Sequence, residues 1–157
     1  MPLAAAIALT DVLTKEAVQA IFAYGERLPI TDFFNLVYVM NPGAAFSFLA
    51  EASGWQKPIL LGLGVMVSGV LVVMLVRNPM DRLTAFGFAA VLGGAVGNVF
   101  DRARQGAVVD WLDFHLSGWH WPAFNIADIG ITTGAMALIL GAMFFAPEKT
   151  APGHSRG

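Results

Sequence analysis

The sequence predicts an integral membrane protein that is mainly α-helical, with four transmembrane helices, a small β-sheet and a short interfacial helix. Composition is the first reason: of 157 residues, 57% are hydrophobic and 13% are charged, whereas a soluble domain is usually about a quarter charged. The second reason is three uncharged runs, at residues 58–76, 83–100 and 129–147. Each run is close to the roughly 20 residues that a helix needs to cross a bilayer. They predict spans at about 58–76, 83–100 and 127–146.

A fourth span is predicted at about residues 3–24, which are apolar apart from a few polar positions. Asp11, Lys15 and Gln19 recur every fourth residue, so they share one face of a helix. That face should turn into the protein, because a charge that faces lipid is costly. A cleaved signal peptide is the alternative interpretation, but no basic segment precedes the apolar part and charges interrupt it early.

The four spans predict one domain over residues 1–147 and a disordered tail over residues 148–157. Residues 25–57 and 101–125 form two long connections, which must lie on the same side of the membrane in a four-span chain. The net charge is −2 and the chain has no cysteine, so neither nucleic-acid binding nor thiol chemistry is indicated. Basic residues are divided evenly between the two sides, so their distribution gives no orientation.

The first long connection predicts a small sheet at the membrane surface. Residues 33–39 are rich in aromatic and β-branched side chains, which is typical of a strand. Asn41-Pro42-Gly43 follows as a turn signal. Two interpretations fit this pattern equally: an ordinary hairpin lid, and a surface that holds an extended peptide by main-chain pairing.

The second long connection predicts a short interfacial helix. Its segment VVDWLDFHLSGWHW, residues 108–121, carries four large aromatic side chains, and such side chains settle at the level of the lipid headgroups. His115 and His120 are interpreted as interfacial polar residues and not as metal ligands.

Small residues predict that spans three and four pack closely. Gly93 and Gly97 are four residues apart in span three, as are Gly130 and Gly134 in span four, and such spacing lets helix backbones approach in lipid. Close packing brings together the polar ends of both spans. These ends carry Asn98, Asp101, Arg102 and Asp128.

Asp110 and Asp128 are candidate catalytic residues. Asp110 follows Val108-Val109, and a carboxyl group in dry surroundings has a raised pKa. Two neighbouring carboxyl groups cannot easily both ionise, so they share one proton, as in aspartic proteases. The ionised member can take a proton from water while the protonated member donates to the substrate. This chemistry needs neither a metal nor a cofactor.

The same residues also have simpler interpretations. Asp101 and Arg102 could do no more than end a transmembrane helix at water, and Asp128 could do no more than cap span four. Asn98 and Asn125 are candidates for orienting the substrate or the carboxylates by hydrogen bonds.

Four motifs extend this interpretation, because they resemble the signal peptidase II family, the lipoprotein signal peptidases. The motifs are DVLTKEAV at 11–18, NPGAAFS at 41–47, GNVFDRARQGAVVDWLDFH at 97–115 and PAFNIADIGITTG at 122–134. They occur in the order of the family's patterns and cover essentially the whole chain.

The resemblance implies an aspartic endopeptidase of the bacterial cytoplasmic membrane. Such enzymes remove the signal peptide from prolipoproteins by cutting before the diacylglyceryl-modified cysteine. Asp110 and Asp128 match the catalytic pair. Positions that match residues lining or supporting the family's site are Asp11, Lys15, Asn41, Gly43, Asn98, Arg102 and Asn125. The resemblance also implies that both termini are cytoplasmic and that the sheet and the active site lie on the extracytoplasmic side. It implies a monomer that has membrane lipid as a partner.

Two other functions are alternatives. A metal-dependent phosphotransferase of membrane lipids also uses clustered aspartates, but the first half of its sequence motif is missing and the final aspartate spacing is too short. A proton-coupled transporter could use Asp11, Lys15 and Asp128 as a relay, but such folds usually show internal repeats and more spans.

Overall fold

The computed structural model describes residues 1–43 and 55–144. The four helices are α1 (Pro2–Ile21), α2 (Gln56–Arg77), α3 (Arg82–Gln105) and α4 (Ile126–Phe144). The four strands are β1 (Arg27–Thr31), β2 (Phe34–Asn41), β3 (Val108–Leu116) and β4 (Trp119–His120).

Three of the helices, α2, α3 and α4, are long and apolar enough to cross a membrane. The three spans predicted from uncharged runs are therefore confirmed as helices of spanning length. The helix predicted at residues 3–24 is also present, as the 20 residues of α1, but its status as a fourth span stays a prediction. The predicted disordered tail at 148–157 lies outside the described residues.

Helix α3 lies at the centre of the bundle and packs against each of the other three helices. It begins at Asp81, whose side chain accepts hydrogen bonds from the backbone N–H groups of Leu83 and Thr84 at 2.9 and 3.0 Å, a typical N-cap. It ends at Gly106, which adopts a left-handed conformation with φ of 75°, as is common just past a helix C-terminus. α2 packs against α3 and leaves most of its apolar side chains exposed, as a helix that faces lipid does.

The close packing predicted between α3 and α4 is present, but other glycines of α3 provide it. A Cβ atom at Gly134 of α4 would lie 2.7 Å from the carbonyl oxygen of Gly87. Gly94 in turn faces the carbonyl oxygen of Ala127. Gly93 and Gly97 contact α1 instead, since a Cβ at Gly93 would lie 2.7 Å from the carbonyl oxygen of Ala4, and Gly97 faces Asp11. α3 thus has two faces of small residues, one against α4 and one against α1.

The strands form one antiparallel sheet in the order β1-β2-β3-β4. The strand predicted at residues 33–39 is confirmed by β2. Pairing of β2 with β3 places Asn41 opposite Val108 and Asn35 opposite Asp113. The two long connections are therefore joined to each other through backbone hydrogen bonds.

The prediction of an interfacial helix in the second connection is wrong. That segment forms β3, a turn at Ser117-Gly118 with φ of 50° and 84°, and β4. Valine and aromatic side chains favour a strand, β2 offers an edge for pairing, and Gly118 accepts the positive φ that a tight turn requires.

Candidate active site

Asp110 lies on β3 and is only 2% exposed. Each of its carboxylate oxygens accepts a hydrogen bond from an asparagine amide. Asn41, the last residue of β2, donates to Oδ2 at 2.9 Å, and Asn125, just before α4, donates to Oδ1 at 2.6 Å. The carboxyl group is therefore held between the sheet and the start of α4.

The surroundings of Asp110 raise its pKa to about 7, from an ordinary 3.8. Burial is the main cause, and the negative charge of Asp128 adds to it, while the hydrogen bonds from Asn41 and Asn125 act in the opposite direction. Burial raises the pKa because a charged carboxylate loses its hydration in a dry site. A carboxyl group of this kind can both hold and release a proton near neutral pH.

Asn125 links Asp110 to Asp128. Its Oδ1 accepts from the backbone N–H of Asp128 at 3.0 Å, and Oδ2 of Asp128 accepts from the backbone N–H of Asn125 at 3.3 Å. This reciprocal pair is the arrangement of a capping box, built here with asparagine and aspartate. Asp128 therefore does cap the helix, as the simpler interpretation proposed, and the cap also fixes its carboxylate beside Asp110.

Asn98 on α3 approaches Asp128 from the other side. Its Nδ2 donates to Oδ1 of Asp128 at 3.0 Å, and its Oδ1 accepts from Nζ of Lys15 at 3.1 Å. The buried amide of Asn98 thus links Lys15 to Asp128 through two hydrogen bonds. Arg102, one turn along α3, donates through Nη1 to the carbonyl oxygen of Asn98 at 3.4 Å.

Lys15 forms a buried ionic cluster with two aspartates. Its Nζ lies 2.6 Å from Asp11 and 3.1 Å from Asp101, and Lys15 is 1% exposed. Asp101 accepts from the backbone N–H of Val109 at 3.0 Å, and Asp11 accepts from that of Ala127 at 2.8 Å. Each carboxylate therefore anchors the residue immediately before one of the candidate catalytic aspartates.

Asp101 was not among the predicted site residues. Asp101 stands four residues after Gly97, and the structure shows that this face of α3 contacts α1 and not α4. An acidic residue on that face is a natural partner for the buried lysine of α1.

Gly43 follows Asn41 in a turn that only glycine fits well. Its backbone N–H donates to Oδ1 of Asn41 at 2.9 Å, and its φ is 115°. A Cβ there would lie 2.5 Å from a side-chain carbon of Leu60. The turn orients the amide of Asn41 towards Asp110.

A cavity of about 1170 Å³ opens beside this network, between α2, α3 and α4. Asp128, Asn98, Arg102 and Asn41 line its polar end. Its remaining lining is largely apolar, and α2 and α3 contribute Leu60, Leu63, Val67, Val91, Ala95 and Val99 to it. Asp128 therefore stands at one end of an apolar groove that runs along the transmembrane helices.

The nine predicted site residues all belong to this arrangement, in a chain of contacts from Lys15 through Asn98, Asp128 and Asn125 to Asp110. Among residues 1–43 and 55–144, no group of three or more histidines, aspartates or glutamates is placed to hold a metal ion. The two predicted interfacial histidines lie on β3 and β4, where their rings stack 4.9 Å apart.

A helical membrane bundle with two linked carboxyl groups and an apolar groove has the architecture of a class of protein, the membrane-embedded hydrolases. Comparison with known proteins gives the particular family. Residues 3–144 match the family described as "Signal peptidase (SPase) II", and the chain belongs to that family of aspartic-type peptidases.

The relatives agree with this assignment. The chain is 57% identical over 132 residues to a lipoprotein signal peptidase of Ralstonia nicotianae, which covers 84% of this chain and 76% of that protein. It is 47% identical to that of Azoarcus sp. over 98% of this chain and 88% of the relative. A solved structure called "Bacterial membrane enzyme structure by the in meso method at 1.9 A resolution" shares the fold, with a TM-score of 0.78, 24% identity and 90% of each chain covered. The protein is thus a membrane-embedded bacterial peptidase.

Proposed function

We propose that this enzyme removes the signal peptide of prolipoproteins by cutting before the diacylglyceryl-modified cysteine, with Asp110 and Asp128 as an acid–base pair. One observation carries the proposal. Asn125 donates to Asp110 and exchanges hydrogen bonds with Asp128, so a single residue holds both carboxyl groups where the groove ends.

The pair shares one proton at neutral pH, because two neighbouring carboxyl groups resist ionising together. The ionised member takes a proton from a water molecule as the water oxygen attacks the scissile carbonyl carbon. The protonated member donates to the carbonyl oxygen, which gives a neutral tetrahedral diol. Proton transfer to the amide nitrogen, with a hydroxyl proton returned to the pair, then breaks the C–N bond and restores the starting state.

The groove supports a substrate that remains partly in the bilayer. Its walls between α2 and α4 are largely apolar and its polar end carries Asp128 and Arg102. A lipid chain or an apolar signal segment can lie along the walls while the peptide bond reaches the carboxyl groups. Holding the substrate in this way orients the scissile peptide bond and lowers the entropic cost of bringing it to the carboxyl groups.

The placement in the cell is part of the same proposal. The enzyme acts as a monomer in the bacterial cytoplasmic membrane, with α1 as a fourth span and both termini in the cytoplasm. The sheet and the carboxyl groups then lie at the outer face of the membrane. The buried charges of α1 support its place within the bundle, because Asp11 and Lys15 face α3 and not the surroundings.

The test is a gel-shift cleavage assay with purified enzyme in detergent, a diacylglyceryl-modified prolipoprotein and EDTA throughout. Wild type is compared with Asp110→Asn and Asp128→Asn. We expect cleavage by wild type in EDTA and none by either variant. Loss of wild-type activity to EDTA, or full activity in either variant, would refute the two-aspartate mechanism and favour a metal-dependent one.

A further inference from the structure

A second buried carboxylate, Asp113, lies on the same strand as Asp110 but takes no part in the arrangement just described. Each of the four strands contributes one residue to its cluster. Nδ2 of Asn35 on β2 donates to it at 2.7 Å, and Nδ1 of His120 on β4 lies 2.8 and 3.1 Å from its two oxygens. Nε of Arg27 on β1 lies 3.6 Å away.

His120 completes this cluster as a bridge. Nη1 of Arg27 lies 3.4 Å from Nε2 of His120. Arg27 can only donate, so the ring accepts at Nε2 and donates from Nδ1 to Asp113. The partners thus specify one tautomer of the neutral ring, and they connect the two outer strands of the sheet, β1 and β4, through side chains.

This bridge matters because β4 has only two residues, Trp119 and His120. Side chains alternate between the faces of a strand. His120 therefore projects to the face of Asp113, and Trp119 projects to the other face. Trp121, which follows the strand, packs against Trp119. The two indole rings pack edge to face with centroids 5.7 Å apart. Fixing the histidine on one face therefore fixes two large side chains on the opposite face.

One of the two tryptophans borders the substrate groove, and the other packs against it. Trp121 lines the cavity of about 1170 Å³ and also a neighbouring cavity of about 490 Å³, to which Trp119 and Phe114 contribute as well. Both rings are more than half exposed, so the groove does not hold them by burial. Their orientation depends on the short strand beneath them.

We propose that Asp113, His120 and Arg27 are positioning residues. They hold Trp119, and through it Trp121 at the wall of the substrate groove, and they act on substrate binding and not on the chemical step. The effect on substrate rests on the proposed function, whereas the positioning of the tryptophans does not.

The sharpest test compares two substitutions of His120. In His120→Asn the amide nitrogen replaces Nδ1, so the hydrogen bond to Asp113 is kept. In His120→Gln the amide lies one bond further out and that hydrogen bond is lost. We expect His120→Gln to raise KM for the prolipoprotein about tenfold with kcat nearly unchanged, since one lost hydrogen bond changes binding by roughly that factor. His120→Asn should retain the KM of wild type.

A spectroscopic measurement tests the positioning without any substrate. Edge-to-face indole pairs give a coupled circular dichroism signal in the tryptophan absorption region, and Trp119→Phe provides the spectrum without the pair. We expect His120→Gln to resemble Trp119→Phe and His120→Asn to resemble wild type.

The outcomes separate the two proposals. A retained tryptophan couplet in His120→Gln overturns the positioning role, whether or not the enzyme cleaves prolipoprotein. A lost couplet with a fall in kcat and an unchanged KM overturns the role in substrate binding. If wild type fails to cleave but the couplet behaves as expected, the proposed function fails and the positioning of the tryptophans stands.

Discussion

Asp110 and Asp113 are three residues apart on β3, and both are almost fully buried, at 2% and 3% exposure, yet their protonation behaviour is opposite. The pKa of Asp110 is raised to about 7. Burial also acts to raise the pKa of Asp113, but the hydrogen bonds from Asn35 and His120 and the charge of Arg27 outweigh it and hold that pKa below its usual value.

The chemistry of the partners makes the difference. The side chains that donate to Asp110 are the amides of Asn41 and Asn125, and Asp128 adds a second negative charge nearby. Asp113 lies beside a guanidinium and an imidazole. Amide donors orient a carboxyl group and leave its proton exchangeable, whereas a cation keeps it ionised. On one strand, therefore, one aspartate is suited to proton transfer and the other to holding the sheet together.

The largest expected effect is the difference between Asp110→Asn and Asp113→Asn. Asp110→Asn should lower kcat by about 10³-fold or more, because an amide cannot act as acid or base. Asp113→Asn keeps the shape of the side chain and should leave kcat within about threefold, because it removes no proton-transfer group. Single-turnover cleavage of a prolipoprotein measures both.

The control for this comparison is a thermal melt of both variants in the same detergent. A folded but inactive Asp113→Asn enzyme would contradict the assignment of the pair and reopen the choice among the aspartates of β3.

A second prediction concerns the cation of the buried cluster. Lys15→Met removes the charge that neutralises Asp11 and Asp101. Breaking a buried ion pair from one side costs about 3–5 kcal/mol, because the remaining charge stays buried without a partner. We expect a large fall in the midpoint of thermal unfolding. A matched Lys15→Met/Asp101→Asn double variant should recover part of the loss, and no recovery would show that the pairing contributes little.

Asn125→Ala should have a smaller effect on activity than loss of either aspartate. It removes the donor to Asp110 and the cap of α4 together, while both acids remain. Loss of one oriented donor in an active site typically costs about 10²-fold in kcat. Asn125→Asp is the control, since it restores the cap but adds a negative charge beside Asp110. Activity close to wild type in Asn125→Ala would show that the acids are held without it.

The smallest expected effect is a shift in pH dependence. Asp110 has a raised pKa, so its proton is present below about pH 7 and is lost as pH rises, which predicts a fall in kcat on the alkaline side. The hydrogen bond from Asn41 lowers this pKa. Asn41→Ala should therefore move the alkaline limb to higher pH. If the alkaline fall in kcat stays at the same pH, or moves to lower pH, Asp110 is not the group whose deprotonation causes it.

The sequence predicted the spanning helices and the residues that meet at the site, because both depend on local signals. Uncharged runs define α2, α3 and α4, and the spacing of Asp11 and Lys15 fixed the inward face of α1. The position of Asp128 at the start of α4 predicted a helix cap, and the structure adds the reciprocal bond to Asn125.

What the sequence could not provide is the choice between competing tertiary partners. Gly93 and Gly87 look alike in a list of small residues, but they contact different helices. The aromatic segment after Asp110 suited an interfacial helix as well as a strand, and pairing with β2 decided in favour of the strand. The bond from Asn35 to Asp113 depends on that same register and so could not be predicted before it.

The ion pair within α1 also bears on how the protein enters the membrane. The chain is synthesised from its N-terminus, so α1 is made before α3 exists to supply Asp101 and Asn98. Lys15 and Asp11 are one turn apart in the same helix and 2.6 Å from each other, so the two charges cancel within the segment. The intrahelical pair needs no partner from another helix, and in the folded protein α3 adds Asp101 and Asn98 to it.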